Sequence, residues 1–250
     1  MKATDYLNDS TEIRIVNFDE DKVFTKFFNI SEFVGEELCK MNNIPSAHYF
    51  VLTKDDYANE NKCLYKDLKK YNYYYEIGSY DFRKDNCDYY KINELDFSEY
   101  KNNFYGLLNM TKDDNNKKDL ERELLKLFAL DFYMGQIDWY SDNIMLEYSN
   151  KGIHLSPLYD FEYSLNLNHI NKEFFYKNDI YNFYSIDDFK ILGYFYPEFF
   201  EYLENYLDID LVSVLESSLR SRGLNVLKRD IRRVDEFQKE KCKTIKKIIR

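Results

Sequence analysis

The sequence predicts an α+β chain of two unequal lobes, a small mixed one followed by a larger, mainly helical one. Three observations lead there. Short runs of alternating apolar and polar residues, with one helix between them, fill residues 12–52. From about Lys117, apolar residues recur at spacings of three and four. A single hairpin pattern, residues 144–161, is embedded among otherwise helical segments. The division is placed near residue 80, giving an N-lobe over 1–80 and a C-lobe over 81–250. At 250 residues, 44% of them apolar and 18% aromatic, the chain has the material to pack two lobes around a cleft.

Element by element, Ile13, Ile15 and Phe18 alternate with polar positions, DEDK supplies a turn, and VFTKFF resumes an extended run, so 12–28 reads as a hairpin. Asn29 or Ser31 caps a helix reaching Met41, with Glu32 in the first turn where the helix dipole favours an acid. Asn42-Asn43-Ile44-Pro45 stops it, and AHYFVL (47–52) is a third strand. Between 53 and 110, LYKDLKKY has a helical look. There YNYYYEIGSYDF looks like a strand, or a connector against which a flat ring could dock. Leu120, Leu124, Leu127, Phe128, Leu130 and Met134 define a long buried helix. Then follow a polar loop (IDWYSDN), a strand (IMLEYS), a turn (NKG) and a second strand (IHLSPLYDF) carrying Asp160. Beyond Phe174 the pattern is mostly helical.

The formal net charge of −10 argues against a nucleic acid as the primary partner. The basic stretch from Lys228 to Arg250 reads either as the solvated face of a last helix or as a contact surface. Four cysteines form no CxxC pair, and His48, His154 and His169 complete no zinc set with them. No apolar run reaches the ~20 residues of a membrane span, and the first residues carry no apolar signal core. A cytoplasmic protein with reduced thiols is the expectation.

The chemistry-bearing stretch is Asp131–Leu165. Phosphoryl transfer from a nucleotide needs a carboxylate to orient the attacking hydroxyl, oxygen ligands for Mg²⁺, and a cation on the phosphates. Asp138 lies in the loop after the long helix, Asn143 at the start of the next strand, and Asp160 at the end of the strand after that. A hairpin brings all three to one end of a local unit, with hard oxygen donors suited to Mg²⁺. An Asp-to-Asn spacing of five is common, and Asp142 competes for either role; only the conjunction of loop, hairpin and final Asp-Phe is specific.

That conjunction resembles the HipA-like serine/threonine kinases, whose segment runs D-x-L-I-G-N-x-D-x-H-x-x-N, a hairpin, then P-x-[FY]-D-x-G-x-S-L. Asp131, Gly135, Gln136, Asp138 and Asn143 stand in register, followed by Pro157, Tyr159, Asp160, Ser164 and Leu165. The resemblance implies a bilobal protein-kinase-like fold using ATP and Mg²⁺. Asp138 would be its catalytic base, and Asn143 and Asp160 its metal ligands. Upstream, Lys26 in VFTKFF, Ser31-Glu32 and Asn43-Ile44-Pro45 follow the family's order. Lys26 then contacts the phosphates and Glu32 holds it by an ion pair, with Glu36 and Glu37 as substitutes for that acid. The acceptor implied is a serine or threonine of a protein substrate, the chain itself included.

The sequence departs from the pattern in places. Trp139-Tyr140-Ser141-Asp142 stands where the family has a histidine and a basic residue, and Glu162 replaces the glycine after the metal aspartate. No glycine precedes Gly35, so the first hairpin has no glycine-rich phosphate loop. Two rivals stay open on these grounds. YDFEYS and the D-x-x-x-x-N-I run also resemble small-molecule kinases of the aminoglycoside and choline type. The missing glycines equally suit a pseudokinase that only binds.

Overall fold

The computed structural model describes residues 14–18, 21–27, 29–52, 76–100, 102–135, 144–161, 164–165 and 186–250. The expected N-terminal hairpin is present as β1 (Arg14–Phe18) and β2 (Asp21–Phe27). With β3 (Tyr49–Leu52) and β4 (Glu76–Tyr80) they make an antiparallel sheet in the order β1-β2-β4-β3. The late strand β4 therefore slots between its predecessors, and Lys26 and Val51 both stand opposite Ile77.

Helix α1 (Ile30–Met41) begins where the side chain of Asn29 accepts the Ser31 N–H at 2.9 Å. Every residue from Ser31 to Glu36 is buried. A helix enclosed on several sides offers its polar residues only internal partners, and that sets up the site below.

The larger part of the chain is built on α2 (Asn103–Met110), α3 (Asp114–Met134), α4 (Ile186–Phe195), α5 (Glu198–Asn205), α6 (Leu211–Ser221) and α7 (Lys228–Ile249). The expected long helix is α3, and it starts earlier than Lys117. The Asp113 carboxylate accepts the Asn115 and Asn116 N–H groups at 3.0 and 2.8 Å, fixing its first turn. Leu120, Leu124, Leu127, Phe128 and Phe132 are all fully buried, so α3 is the axis of the helical core. It ends at Gly135, whose φ of 60° is the left-handed conformation that glycine adopts freely.

Three antiparallel strands lie on this core in the order β5-β6-β7: β5 (Asp88–Lys91), β6 (Met145–Ser149) and β7 (Gly152–Leu155). The β6–β7 hairpin is clamped to α3. Asn116 donates to Ile153 O (2.9 Å) and accepts from Ile153 N–H (3.0 Å), while Glu123 accepts the Leu155 N–H at 2.8 Å.

One expectation needs correction, and one strand was not foreseen. The second hairpin strand does not run to Asp160; it ends at Leu155. Pro157, which has no N–H to give, follows, and Leu158 bonds instead to the segment after α1, through Pro45 O and Ala47 N. Strand β5 was not anticipated, because Asp88 and Tyr90 face solvent and no apolar alternation marks it. It is held partly by polar contacts: Tyr89 donates to Glu147 at 2.9 Å, and Lys84 pairs with the same carboxylate at 2.8 Å.

Candidate active site

Three of the five residues singled out from the sequence, Lys26, Glu32 and Asp160, meet at one point. Asp138 and Asn143 lie outside the described residues, as do Trp139 and Glu162. Lys26 comes from β2, Glu32 from the first turn of α1, and Asp160 from the irregular segment after β7. The Lys26 ammonium forms an ion pair with Glu32 Oε1 and lies 2.7 Å from Asp160 Oδ1. Glu32 is completely buried, and its second oxygen accepts the Phe161 N–H at 2.9 Å.

The chain folds this way for local reasons. Asp160 has φ of 63°, an unusual conformation for a side chain but one that Asp and Asn enter most readily. The turn that this creates sends the Phe161 ring into the core against α1. A Cβ on Gly35 would lie 2.4 Å from that ring, so only glycine allows the helix and the ring to approach so closely. Beyond it, Ser164 Oγ donates to Phe161 O (2.6 Å), Ser31 Oγ donates to Ser164 O (3.1 Å), and Leu165 N–H reaches Met134 O (2.8 Å). Asp160 is thereby stitched between the start of α1 and the end of α3, immediately before the segment that contains Asp138.

Sequence reasoning missed Tyr49. This β3 residue is buried, and its hydroxyl accepts the Asp160 N–H at 3.0 Å. Burial raises its pKa, and the charge of the neighbouring Glu32 carboxylate raises it further. Only the apolar character of AHYFVL was visible in the sequence; nothing there points a phenol at a residue 111 positions away. Glu36, a substitute for Glu32 on sequence grounds, instead serves His48, the Tyr49 N–H and Arg222.

Burial by itself lowers the Lys26 pKa, but the carboxylates of Glu32 and Asp160 outweigh it and hold the ammonium above its ordinary value. For Glu32, burial dominates and raises the pKa against the pull of Lys26. The centre thus keeps a permanent cation where polyphosphate oxygens could replace a carboxylate partner. Asp160, with 23% of its side chain exposed, presents a hard oxygen donor beside solvent, as Mg²⁺ requires. Among the described residues, no group of three His, Cys, Asp or Glu side chains forms a metal cluster. Also among the described residues, no helix is long and apolar enough to cross a membrane.

No protein-family model and no curated protein matches the sequence. Solved structures do. The chain is similar to the proinflammatory kinase CtkA of Helicobacter pylori, with a TM-score of 0.64, 13% identity and coverage of 99% of this chain and 95% of that one. It is also similar to HipA of Shewanella oneidensis MR-1, solved as a toxin–antitoxin complex with HipB and operator DNA. There the TM-score is 0.60 and the identity 10%, covering 99% of this chain and 66% of HipA. At these identities the likeness establishes the fold. The chain has the α+β, bilobal, HipA-like kinase fold that its motifs suggested.

Proposed function

We propose that this chain is an ATP-dependent phosphotransferase, and within that class a serine/threonine protein kinase acting on another protein or on itself. The observation that carries the reading is the Lys26 ammonium shared between Glu32 and Asp160, a strand lysine, a helix glutamate and a post-hairpin aspartate converging on a kinase-like fold.

Each residue's part follows from its place. Lys26, held cationic, binds phosphate oxygens; Glu32 fixes its direction and is itself too buried to leave. Asp160, with Asn143, would hold Mg²⁺ through side-chain oxygens, and the ion would supply charge neutralisation on the phosphates. Asp138 orients the acceptor hydroxyl toward the γ-phosphorus. Catalysis of this kind is positioning plus electrostatics, so losing one such group costs on the order of 10³-fold in rate.

Titration with Mg-ATP, followed by incubation with labelled ATP and mass mapping of phosphate on the protein, tests the reading. Binding together with phosphoserine or phosphothreonine supports it. No binding at millimolar nucleotide overturns it and leaves the binding-module reading, while ATP consumption only with an added metabolite moves it to the small-molecule kinases.

A further inference from the structure

We infer that Tyr49 and Arg222 form a strut through which the C-terminal helices set the Lys26–Glu32–Asp160 centre, Tyr49 and Arg222 being positioning residues for it; the inference rests on the kinase reading of that centre.

The strut can be followed atom by atom. Arg222, at the end of α6, places its guanidinium 4.5 Å over the Phe33 ring. Nη1 donates to Ser218 O (2.9 Å) and Ser218 Oγ (3.0 Å), tying the group to its own helix. Nη2 donates to Glu36 Oε2 at 2.7 Å, and Nε reaches Tyr49 O at 3.4 Å. Glu36, 2% exposed and one turn beyond Glu32 on α1, also accepts the Tyr49 N–H at 3.1 Å. Both backbone polar groups of Tyr49 are thus engaged, one by α1 and the other by the end of α6. From that anchored backbone its hydroxyl accepts the Asp160 N–H at 3.0 Å.

The geometry connects five distant parts of the chain in one line: α6, α1, β3, the segment after β7, and β2. It also explains how Asp160 keeps a left-handed backbone without glycine, since its N–H and its carboxylate are each held from outside its own segment. A planar, five-donor guanidinium fits this role and an ammonium does not, because helix carbonyl, carboxylate and strand carbonyl lie in different directions around one group.

A lysine-labelling experiment separates a positioning role from bulk stability. Wild type, Tyr49→Phe, Arg222→Lys and Arg222→Met are treated briefly with acetic anhydride in the absence of nucleotide, and acetylation is mapped by mass. Lys26 reports the centre. Lys241, buried in the helical core, reports general opening. We expect Tyr49→Phe and Arg222→Met to raise the Lys26 rate about tenfold relative to Lys241, and Arg222→Lys to raise it less. An unchanged ratio in Tyr49→Phe and Arg222→Met overturns the strut, including the case where both lysines accelerate together. Should Arg222→Met fail to fold, Tyr49→Phe, which loses only a hydroxyl, decides alone. The readout needs no nucleotide, so a wild type that binds no ATP would remove the kinase reading and leave the labelling ratio to judge the strut.

Discussion

The Lys26 ammonium lies 2.7 Å from Asp160 Oδ1 across 134 residues of sequence, and Glu32 closes the group from a buried helix turn. The buried Glu32 carboxylate depends on that cation. Lys26→Met leaves the fully buried Glu32 carboxylate facing Asp160 with no compensating charge. Breaking a buried pair from one side costs about 3–5 kcal/mol, so urea unfolding of Lys26→Met should show a loss of that order. The double variant Lys26→Met/Glu32→Gln should recover most of the loss without recovering phosphate transfer. If the double variant is no more stable than the single one, the two residues are not energetically coupled.

How much of this was legible beforehand depended on the range of the interaction. Glu32 was visible because a helix start writes itself locally, in Asn29 and an acid in the first turn. Asp160 was visible through its place at the end of the hairpin pattern, and Lys26 through the order of segments that resembles the HipA-like kinases. Tyr49 and Arg222 were not, since a phenol in an apolar strand and an arginine at a helix end carry no local mark of a partner more than a hundred positions away. The strand assigned as far as Asp160 failed at Pro157, where loss of a donor ended the ladder and freed the chain to cross to Pro45 and Ala47. The basic last helix concealed one residue of a different kind: Lys241 faces inward among Val234, Phe237 and Ile245.

Gly35 tests the packing behind Asp160. In Gly35→Ala the added methyl would lie 2.4 Å from Phe161 Cγ, so α1 or the ring must move. Overpacking of this kind costs roughly 1–3 kcal/mol. Because Phe161 follows Asp160 directly and its N–H bonds to Glu32, the shift should also reach the site. The expected result is a transfer rate reduced by more than the stability loss accounts for, measured at a temperature where the variant is fully folded. A rate equal to wild type there would show that the centre tolerates movement of Phe161.

Lys241 makes stability depend on pH. Burial drives its pKa down to about 7, with Asp131 and Glu240 opposing, while the ammonium or amine donates to Phe132 O at 2.6 Å. Unfolded, the group holds its proton up to its ordinary value of 10.5. Between those values the unfolded chain binds a proton that the folded chain has lost, so raising the pH favours folding, by up to ~1.4 kcal/mol per unit. Below about 7 both states are protonated and this dependence ceases. Burial raises the Cys39 thiol pKa, which works in the opposite direction once the pH passes the ordinary thiol range. The window is therefore roughly pH 7 to 8.5. Melting temperature should rise across it in wild type and rise less in Lys241→Met; equal slopes would contradict a neutral buried lysine.

Asp160 separates charge from backbone. Its φ of 63° suits Asp, Asn and Gly, and penalises a β-branched residue by about 1–2 kcal/mol. Asp160→Asn keeps the shape, the left-handed preference and an oxygen toward Lys26, and loses only the negative charge. Lys26 retains Glu32 as its counter-ion, so unfolding of the Asn variant should stay within about 1 kcal/mol of wild type. Its Mg²⁺-dependent phosphate transfer should nonetheless fall by on the order of 10³-fold, because the lost negative charge weakens the hold on a divalent cation beside polyphosphate. Asp160→Val should lose both stability and transfer. Transfer by Asp160→Asn at the wild-type rate would remove Asp160 from the metal site and leave it as a residue that shapes the turn.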